Sequence, residues 1–358
     1  MGMKILGIES SCDETAAAIM SVSLESQSCV LASTVYSQTD EHLAYGGVVP
    51  EIASRAHMER IQNIVAQCVD NAGISLNDID GIAVTSGPGL LGGLIIGTTF
   101  AQALSMSINA PIIGVNHLEG HALMAHLTED INFPYTLLLA SGGHCQFINV
   151  VESNELTSSD NESAKSVDNG ASFMHYEELG GTLDDAIGEC FDKVAKMLDL
   201  PYPGGPQIEK LSAKGDAKKY AFPVPLRDGS VNFSFSGLKS AVRREILNIS
   251  NISEQDVSDI CASFQETVAK ILVYKCEKAI KITGTKQFVL SGGVAANKLL
   301  RSRLSELCGR LGVTFHAPPV HLCTDNAVMI AYAGGLRLLK GESSQRISLK
   351  PRWPLNTL

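Results

Sequence analysis

Lys4-Ile-Leu-Gly-Ile8, a polar turn and Thr15-Ala-Ala-Ala-Ile19 return in plan as Thr136-Leu-Leu-Leu-Ala140, Ser141-Gly-Gly-His144 and Gln146-Phe-Ile-Asn-Val150. Each set reads as an apolar strand, a tight turn and a second strand. A third strand-end turn, Phe288-Val-Leu-Ser-Gly-Gly-Val294, leads into a helical run from Ala295 to Leu311. A strand hairpin that opens each half of a chain points to a duplicated α/β unit, two lobes with a nucleotide cleft between them. The small residues at these turns let backbone N–H groups approach phosphate oxygens closely.

Around these hairpins the sequence alternates helical and strand patterns. Helices are expected at Val49 to Ala72, Leu94 to Ile108, Asp184 to Leu198, Glu254 to Ile282 and Thr324 to Lys340. The lobes are expected to divide near Phe133-Pro134, giving 1–133, 134–325 and a tail 326–358 that returns to the first lobe. The stretch from Glu155 to Ser172 is polar and without period, which reads as a surface loop or disorder.

With 358 residues, 45% hydrophobic and 18% charged, the chain has the composition of a soluble globular enzyme with a large core. Nine cysteines without a Cys-x-x-Cys pair, and no secretory signal at the start, fit a reduced, cytoplasmic protein. From Gly81 to Leu118 there is no Asp, Glu, Lys or Arg. Glycines and polar residues interrupt that segment, so it reads as strand, glycine turn, buried helix and strand, with no membrane span. A net charge of −10 makes the chain a poor unaided binder of nucleic acid. Only Lys210, Lys214, Lys218 and Lys219, and then Lys239, Arg243 and Arg244, form local basic groups.

The clearest chemical signal is Asn116-His-Leu-Glu-Gly-His121. Histidines four apart on a helix project from one face and can share a metal ion if a third ligand arrives from elsewhere. Glu119 lies roughly 200° round the helix from His117 and points away, which speaks against a metalloprotease. Cys323-Thr-Asp-Asn-Ala327 offers the third ligand, Asp325 or else Cys323; the competing role for Asp325 or Thr324 is to cap the following helix. Asp13-Glu14 could serve as a general base or hold a cation, or simply make the turn. Asp192 could bind ribose hydroxyls, Gly204-Gly205 would admit a sugar or base, and Asn297 could hydrogen-bond a base or phosphate. His144, after Ser141-Gly-Gly143, could line the cleft or simply be a structural residue of the turn.

Taken together these motifs resemble the TsaD family. The match includes Gly7-Ile-Glu-Ser-Ser-Cys-Asp-Glu-Thr15, Gly46 to Arg55, Ser86-Gly-Pro-Gly-Leu90, Asn116 to His121 and Ser141-Gly-Gly-His144. It continues through Phe191-Asp-Lys193, Tyr202-Pro-Gly-Gly-Pro206, Phe233 to Lys239, Ser291 to Asn297 and Cys323 to Ala327, in order over nearly the whole chain. The Gly46 run is similar to the bacterial and organellar branch. The resemblance implies the actin/Hsp70/sugar-kinase (ASKHA) fold and transfer of a threonylcarbamoyl group from threonylcarbamoyl-AMP to N6 of the adenosine 3′ of the tRNA anticodon. It implies a divalent metal, iron or zinc, on His117, His121 and Asp325. Leu139, Ala140, Ser141, Gly142 and Gly143, with Asp192, Gly205 and Asn297, would bind the adenylate. Implied partners are tRNA, a TsaB-like paralogous subunit and a TsaE-like P-loop ATPase; helices of the first lobe, Val49 to Ala72 among them, are the expected docking face because they could present apolar residues to a partner helix. The chain departs from the family signature at Gln102, usually basic, and at Ile108, usually aromatic or leucine. A related O-carbamoyltransferase, a metallo-endopeptidase and a non-catalytic nucleotide-binding scaffold are the competing functions; Asp13 or Glu14 is the expected base.

Overall fold

A computed structural model describes residues 2–129, 131–152, 174–226 and 228–358. The polar stretch 155–172 lies outside the described residues. The chain clusters into two compact units, one of Met1–Asp130, Val151–Tyr176 and Asp325–Leu358, the other of Ile131–Val150 and Glu177–Thr324.

The first unit opens with β1 (Met3–Glu9), β2 (Glu14–Val22) and β3 (Cys29–Ser37), then α1 (Thr39–His42), α2 (Pro50–Ala72) and β4 (Gly81–Gly87). It continues with α3 (Leu91–Ile108), β5 (Ile112–Asn116) and α4 (His117–Thr128). β1 and β2 form the expected antiparallel hairpin, with Met3 opposite Val22 and Glu9 opposite Ala16. β1, β4 and β5 are parallel, and the strand order is β3-β2-β1-β4-β5.

The second unit holds β6 (Tyr135–Ala140), β7 (Cys145–Glu152), β8 (Met174–Gly181), α5 (Ile187–Met197), α6 (Gly204–Ser212) and α7 (Ser236–Asn248). It closes with α8 (Glu254–Thr283), β9 (Gln287–Ser291), α9 (Lys298–Leu311) and β10 (Thr314–His316). Its sheet runs β10-β9-β6-β7-β8, with β6 and β7 antiparallel and β6, β9 and β10 parallel. With the second order read in reverse, β8-β7-β6-β9-β10, the hairpin strands and the two parallel neighbours occupy the same places in both sheets, so the echo in the sequence is a duplicated topology. The last helix, α10 (Ala327–Leu339), belongs to the first unit.

Side chains alternate across a strand, and this sheet buries both alternating sets. Leu6, Ile8, Ile82 and Val84 join a core with Ile61, Ile64, Val65 and Cys68 of α2 and Ala101 of α3. Ile5, Gly7 and Ala83 face α10 instead: a Cβ on Gly7 would overlap the backbone of Ala327 and Ala331, and one on Gly334 would overlap Ala83. In the second unit Leu138, Phe147, Phe288 and Leu290 pack with Val194 of α5, Phe264 and Leu272 of α8 and Leu304 of α9.

Three expected helices start three residues away from the expected position, and the other two differ by one residue at one end. α3 begins at Leu91, three residues before its apolar period, and so reaches 18 residues with a mean hydropathy of 1.4. It is long and apolar enough to cross a membrane by length and composition. Expected to be buried, it buries only a third of its length; Ile95 is 44% and Met106 80% exposed. Within the unit its other side packs on α2 and β4. α5 starts at Ile187, leaving Asp184 and Asp185 ahead of it. Asp184 instead accepts from the backbone N–H of Phe235 (2.7 Å) and Ser236 (3.2 Å), which fixes the start of α7. α10 starts at Ala327 because Asn326 caps it, its Oδ1 accepting from Met329 N at 3.1 Å.

Candidate metal centre and active site

Asn116 ends β5 and caps α4, its Oδ1 accepting from Leu118 N at 2.9 Å. The helix therefore starts on His117, and one turn later His121 stacks edge-on against it with ring centroids 4.8 Å apart. Because Asn326 does the capping of α10, Asp325 is released from that task. Its Oδ1 lies 3.0 Å from Nε2 of His121 and 3.4 Å from Nε2 of His117. The capping role considered for Asp325 or Thr324 is thus overturned by a neighbour one residue on. The three ligand atoms fall within 4.8 Å of one another. Two imidazole nitrogens and one carboxylate oxygen suit a borderline divalent ion and leave positions open for substrate oxygens.

The same groups set one another's charge. Burial disfavours a charged His117, but the carboxylates of Asp325 and Glu9 outweigh it and raise its pKa well above the ordinary range. Burial likewise favours a neutral Asp325, yet His117 and His121 hold its carboxyl well below the usual value. Cys323 is not in the set. It is buried, and its Sγ faces the carbonyls of Pro318 and Pro319 and the Arg301 guanidinium. Glu119 lies on the other side of α4, paired with Arg337 at 3.4 Å and accepting from the Tyr176 hydroxyl. It therefore has no role as a base on a metal-bound water.

The β1–β2 turn carries Asp13 and Glu14. Burial comes first and the Asp325 carboxylate second among the causes that raise both of their pKa values, Glu14 well above the ordinary range. A carboxylate so raised is a better proton acceptor. The turn is pinned on several sides: Gln38 N donates to Asp13 O at 3.0 Å and Leu90 N to Ser11 O at 2.7 Å. His57, buried on α2, places Nε2 3.1 Å from Cys12 O and Nδ1 2.8 Å from Thr15 Oγ1.

Sequence reasoning missed His57, and it missed Glu9. Glu9 is 1% exposed at the end of β1, directly after the apolar run Ile5-Leu-Gly-Ile8. A carboxylate there is its own signal, since burial without partners is costly. His57 sits one turn from Ala53 and from Ile61 on the buried face of α2, where a polar ring likewise asks for partners.

The second unit gathers most of the residues expected around an adenylate. Leu139 and Ala140 are fully buried in β6, so that stretch meets solvent only from Ser141 onward. The turn closes on itself through Ser141 N to His144 O (2.7 Å) and His144 N to Ser141 Oγ (3.1 Å). Gly188 N, in the first turn of α5, donates to Ser141 O at 3.1 Å. The third turn lies against the same strand end: Gly292, at φ 92°, would place a Cβ 2.5 Å from Ala140 O. Further along α5, Asp192 Oδ1 accepts from Gly204 N at 2.7 Å and so fixes the start of α6. A Cβ on Gly205 would meet nothing within 4 Å. Asn297 is less available than expected. Its Oδ1 caps α9 at Leu300 N, its Nδ2 donates to Gln265 Oε1 at 2.9 Å, and it is 8% exposed. Of the basic groups, Lys239 is tied to Asp185, which also holds Lys193 at 2.7 Å. Lys210, Lys214, Lys218, Lys219, Arg243 and Arg244 carry the exposed positive charge these groups retain.

The family model for TsaD, tRNA N6-adenosine threonylcarbamoyltransferase, matches residues 29–175 and 170–332. A protein of Rhizobium johnstonii bearing that name is 47% identical over 366 residues, covering 99% of this chain and 95% of its own length. One from Brucella suis is 47% identical over 363 residues, covering 99% and 96%. Among solved structures, full-length HypF superposes with a TM-score of 0.54 at 14% identity, over 96% of this chain and 47% of that one. That likeness is one of fold, and the fold is the duplicated α/β, actin/Hsp70/sugar-kinase-like one. The motifs, the duplicated topology and near-full-length identity of this degree agree: the chain belongs to the TsaD family of tRNA N6-adenosine threonylcarbamoyltransferases.

Proposed function

We propose that the chain transfers the threonylcarbamoyl group of threonylcarbamoyl-AMP to N6 of the adenosine 3′ of the anticodon in tRNA, releasing AMP. Family membership supports this, and the observation that carries the chemistry is the convergence of His117, His121 and Asp325. An aromatic exocyclic amine is a weak nucleophile, so the acyl group must arrive activated. In the mixed carbamoyl–phosphate anhydride the N6–carbonyl bond forms, the carbonyl–phosphate oxygen bond breaks, and AMP leaves with the electron pair. The N6 proton must pass to a base, which we assign to Asp13 or Glu14, whose surroundings raise their basicity.

His117, His121 and Asp325 would hold one divalent iron or zinc ion, which would supply Lewis-acid polarisation of a substrate oxygen. In the second unit the backbone N–H groups of Gly142 and Gly143 would receive the phosphate, while Ser141, whose N–H is taken by His144 O, would line the same turn. Asp192 would take the ribose hydroxyls, the open space at Gly205 would admit the nucleoside, and Asn297 would complete the set. In the endopeptidase reading Glu119 would be the base, and Glu119 is committed to Arg337 and Tyr176. For lobes we retain 1–133, 134–325 and 326–358.

Partners follow from charge. With net charge −10 and Lys239 neutralised, the exposed Lys and Arg form a small footprint for tRNA. A TsaB-like subunit and a TsaE-like P-loop ATPase would extend it. The test is a reaction of the metal-loaded chain with synthetic threonylcarbamoyl-AMP and tRNA, followed by nucleoside analysis, with and without those partners. Threonylcarbamoyladenosine in the digest, with turnover rising on addition of the partners, is expected. AMP release without modified nucleoside under both conditions overturns the proposal.

A further inference from the structure

Glu9 lies behind His117, on the side away from Asp325. Its Oε1 accepts from Ser11 N at 2.6 Å. Its Oε2 accepts from Thr85 Oγ1 at 2.6 Å and lies 3.0 Å from Nδ1 of His117. The opposite ring nitrogen, Nε2, is the one turned to Asp325. Both Glu9 and His117 are buried, with Ser11 Oγ the further polar atom near Nδ1, at 3.1 Å. A bare Nδ1 lone pair facing a carboxylate oxygen in so dry a place would be strongly unfavourable.

We infer that Glu9 is a positioning residue for the metal centre: it receives Nδ1–H of His117 and so leaves the Nε2 lone pair directed at the ion. The same carboxylate anchors Ser11, which ties the ring to the turn that carries Asp13 and Glu14. A histidine ligand oriented through its other nitrogen is a general feature of metal sites. The inference rests on the proposal that His117, His121 and Asp325 bind a metal.

Glu9→Gln is a sharp probe because the site dictates how the amide must sit. Ser11 N–H can only donate, so the amide oxygen must occupy the Oε1 place. The amide N–H₂ then faces Nδ1 and donates to it, forcing the proton onto Nε2 and blocking the ligand lone pair. A wrong tautomer in an unchanged geometry is known to disable a histidine site.

The experiment uses the full-length chain with ¹⁵N-labelled histidine. In the metal-free protein at alkaline pH, where the ring is neutral, the His117 resonances should report Nδ1–H in wild type and Nε2–H in Glu9→Gln. Zn²⁺ affinity, measured by competition with a chromophoric chelator, should fall by about 10–100-fold. Glu9→Asp, which keeps the charge but draws back from the ring, should give an intermediate loss and guards against misfolding of the first variant. Retention of Nδ1–H together with unchanged Zn²⁺ affinity in either variant overturns the inference. Wild type that binds Zn²⁺ no more tightly than His117→Ala overturns the metal proposal instead, while the tautomer comparison still decides the role of Glu9.

Discussion

The turn between β1 and β2 and the turn between β6 and β7 stand at equivalent places in two sheets of the same strand order, yet they work with different materials. The first presents side chains. Asp13 and Glu14 project from a turn that Glu9, His57, Gln38 and Leu90 N hold by hydrogen bonds. The second carries two glycines in open space, where Cβ atoms on Gly142 and Gly143 would meet nothing within 4 Å. Duplication supplied one scaffold twice. What differs is whether the chemistry needs a carboxylate, which must be charged and aimed, or an N–H, which any residue carries but only a small one leaves accessible.

The comparison predicts that the first unit is sensitive to changes of side-chain chemistry and the second to added bulk. The largest effect is expected from the His117→Ala/His121→Ala double variant. It should bind almost no metal and lose transfer by about 10³-fold or more, the scale of several kcal/mol of charge stabilisation. Full metal content in that variant, measured by elemental analysis, would sink the ligand assignment. Glu14→Gln or Asp13→Asn should keep the metal and lower single-turnover transfer by about 10²-fold or more. If neither variant slows the reaction, the base is elsewhere.

For the second unit, Gly205→Val should leave thermal stability unchanged, because its Cβ position is open. It should still weaken binding of an AMP-containing analogue by about a hundredfold, some 2.7 kcal/mol. Tight binding by this variant, read by calorimetry, would move the nucleoside away from α6. Asp192→Ala should cost about 1–3 kcal/mol of adenylate binding. Asp192→Asn keeps an acceptor for Gly204 N and separates the ribose contact from the start of α6; equal affinity in wild type and both variants would remove Asp192 from the site. The smallest expected effect is Asn326→Ala, which should lower stability by about 1 kcal/mol through loss of the α10 cap. No shift in the urea midpoint would mean that another group caps the helix.

Much of the fold was legible because hydrophobic periodicity is a local record of a burial decision. The two hairpins, the third glycine turn and the strand after Pro111 needed only runs of apolar residues and turn chemistry to be found. Helix limits were less legible where polar residues had two uses. Asp184 and Asp185 looked like the first turn of α5, but Asp184 binds the start of α7 across more than 50 residues of chain. Asn297, after a glycine turn, was expected to hydrogen-bond a base or phosphate, but Gln265 takes its amide.

By itself the sequence determined the duplicated α/β plan, the pairing of His117 with His121, and the direction of Glu119 away from them. Each follows from the period of a helix or strand, which is fixed by backbone geometry whatever surrounds it. Only the tertiary structure decided that Asp325 rather than Cys323 joins the histidines, that Asn326 takes over the cap, and that Glu9 backs His117. Those choices depend on which polar atoms meet when distant segments pack, and on the rule that a buried charge must find a partner. No local pattern carries that information, because the partner of a buried carboxylate is specified by a contact between residues 9 and 117, not by the residues beside it.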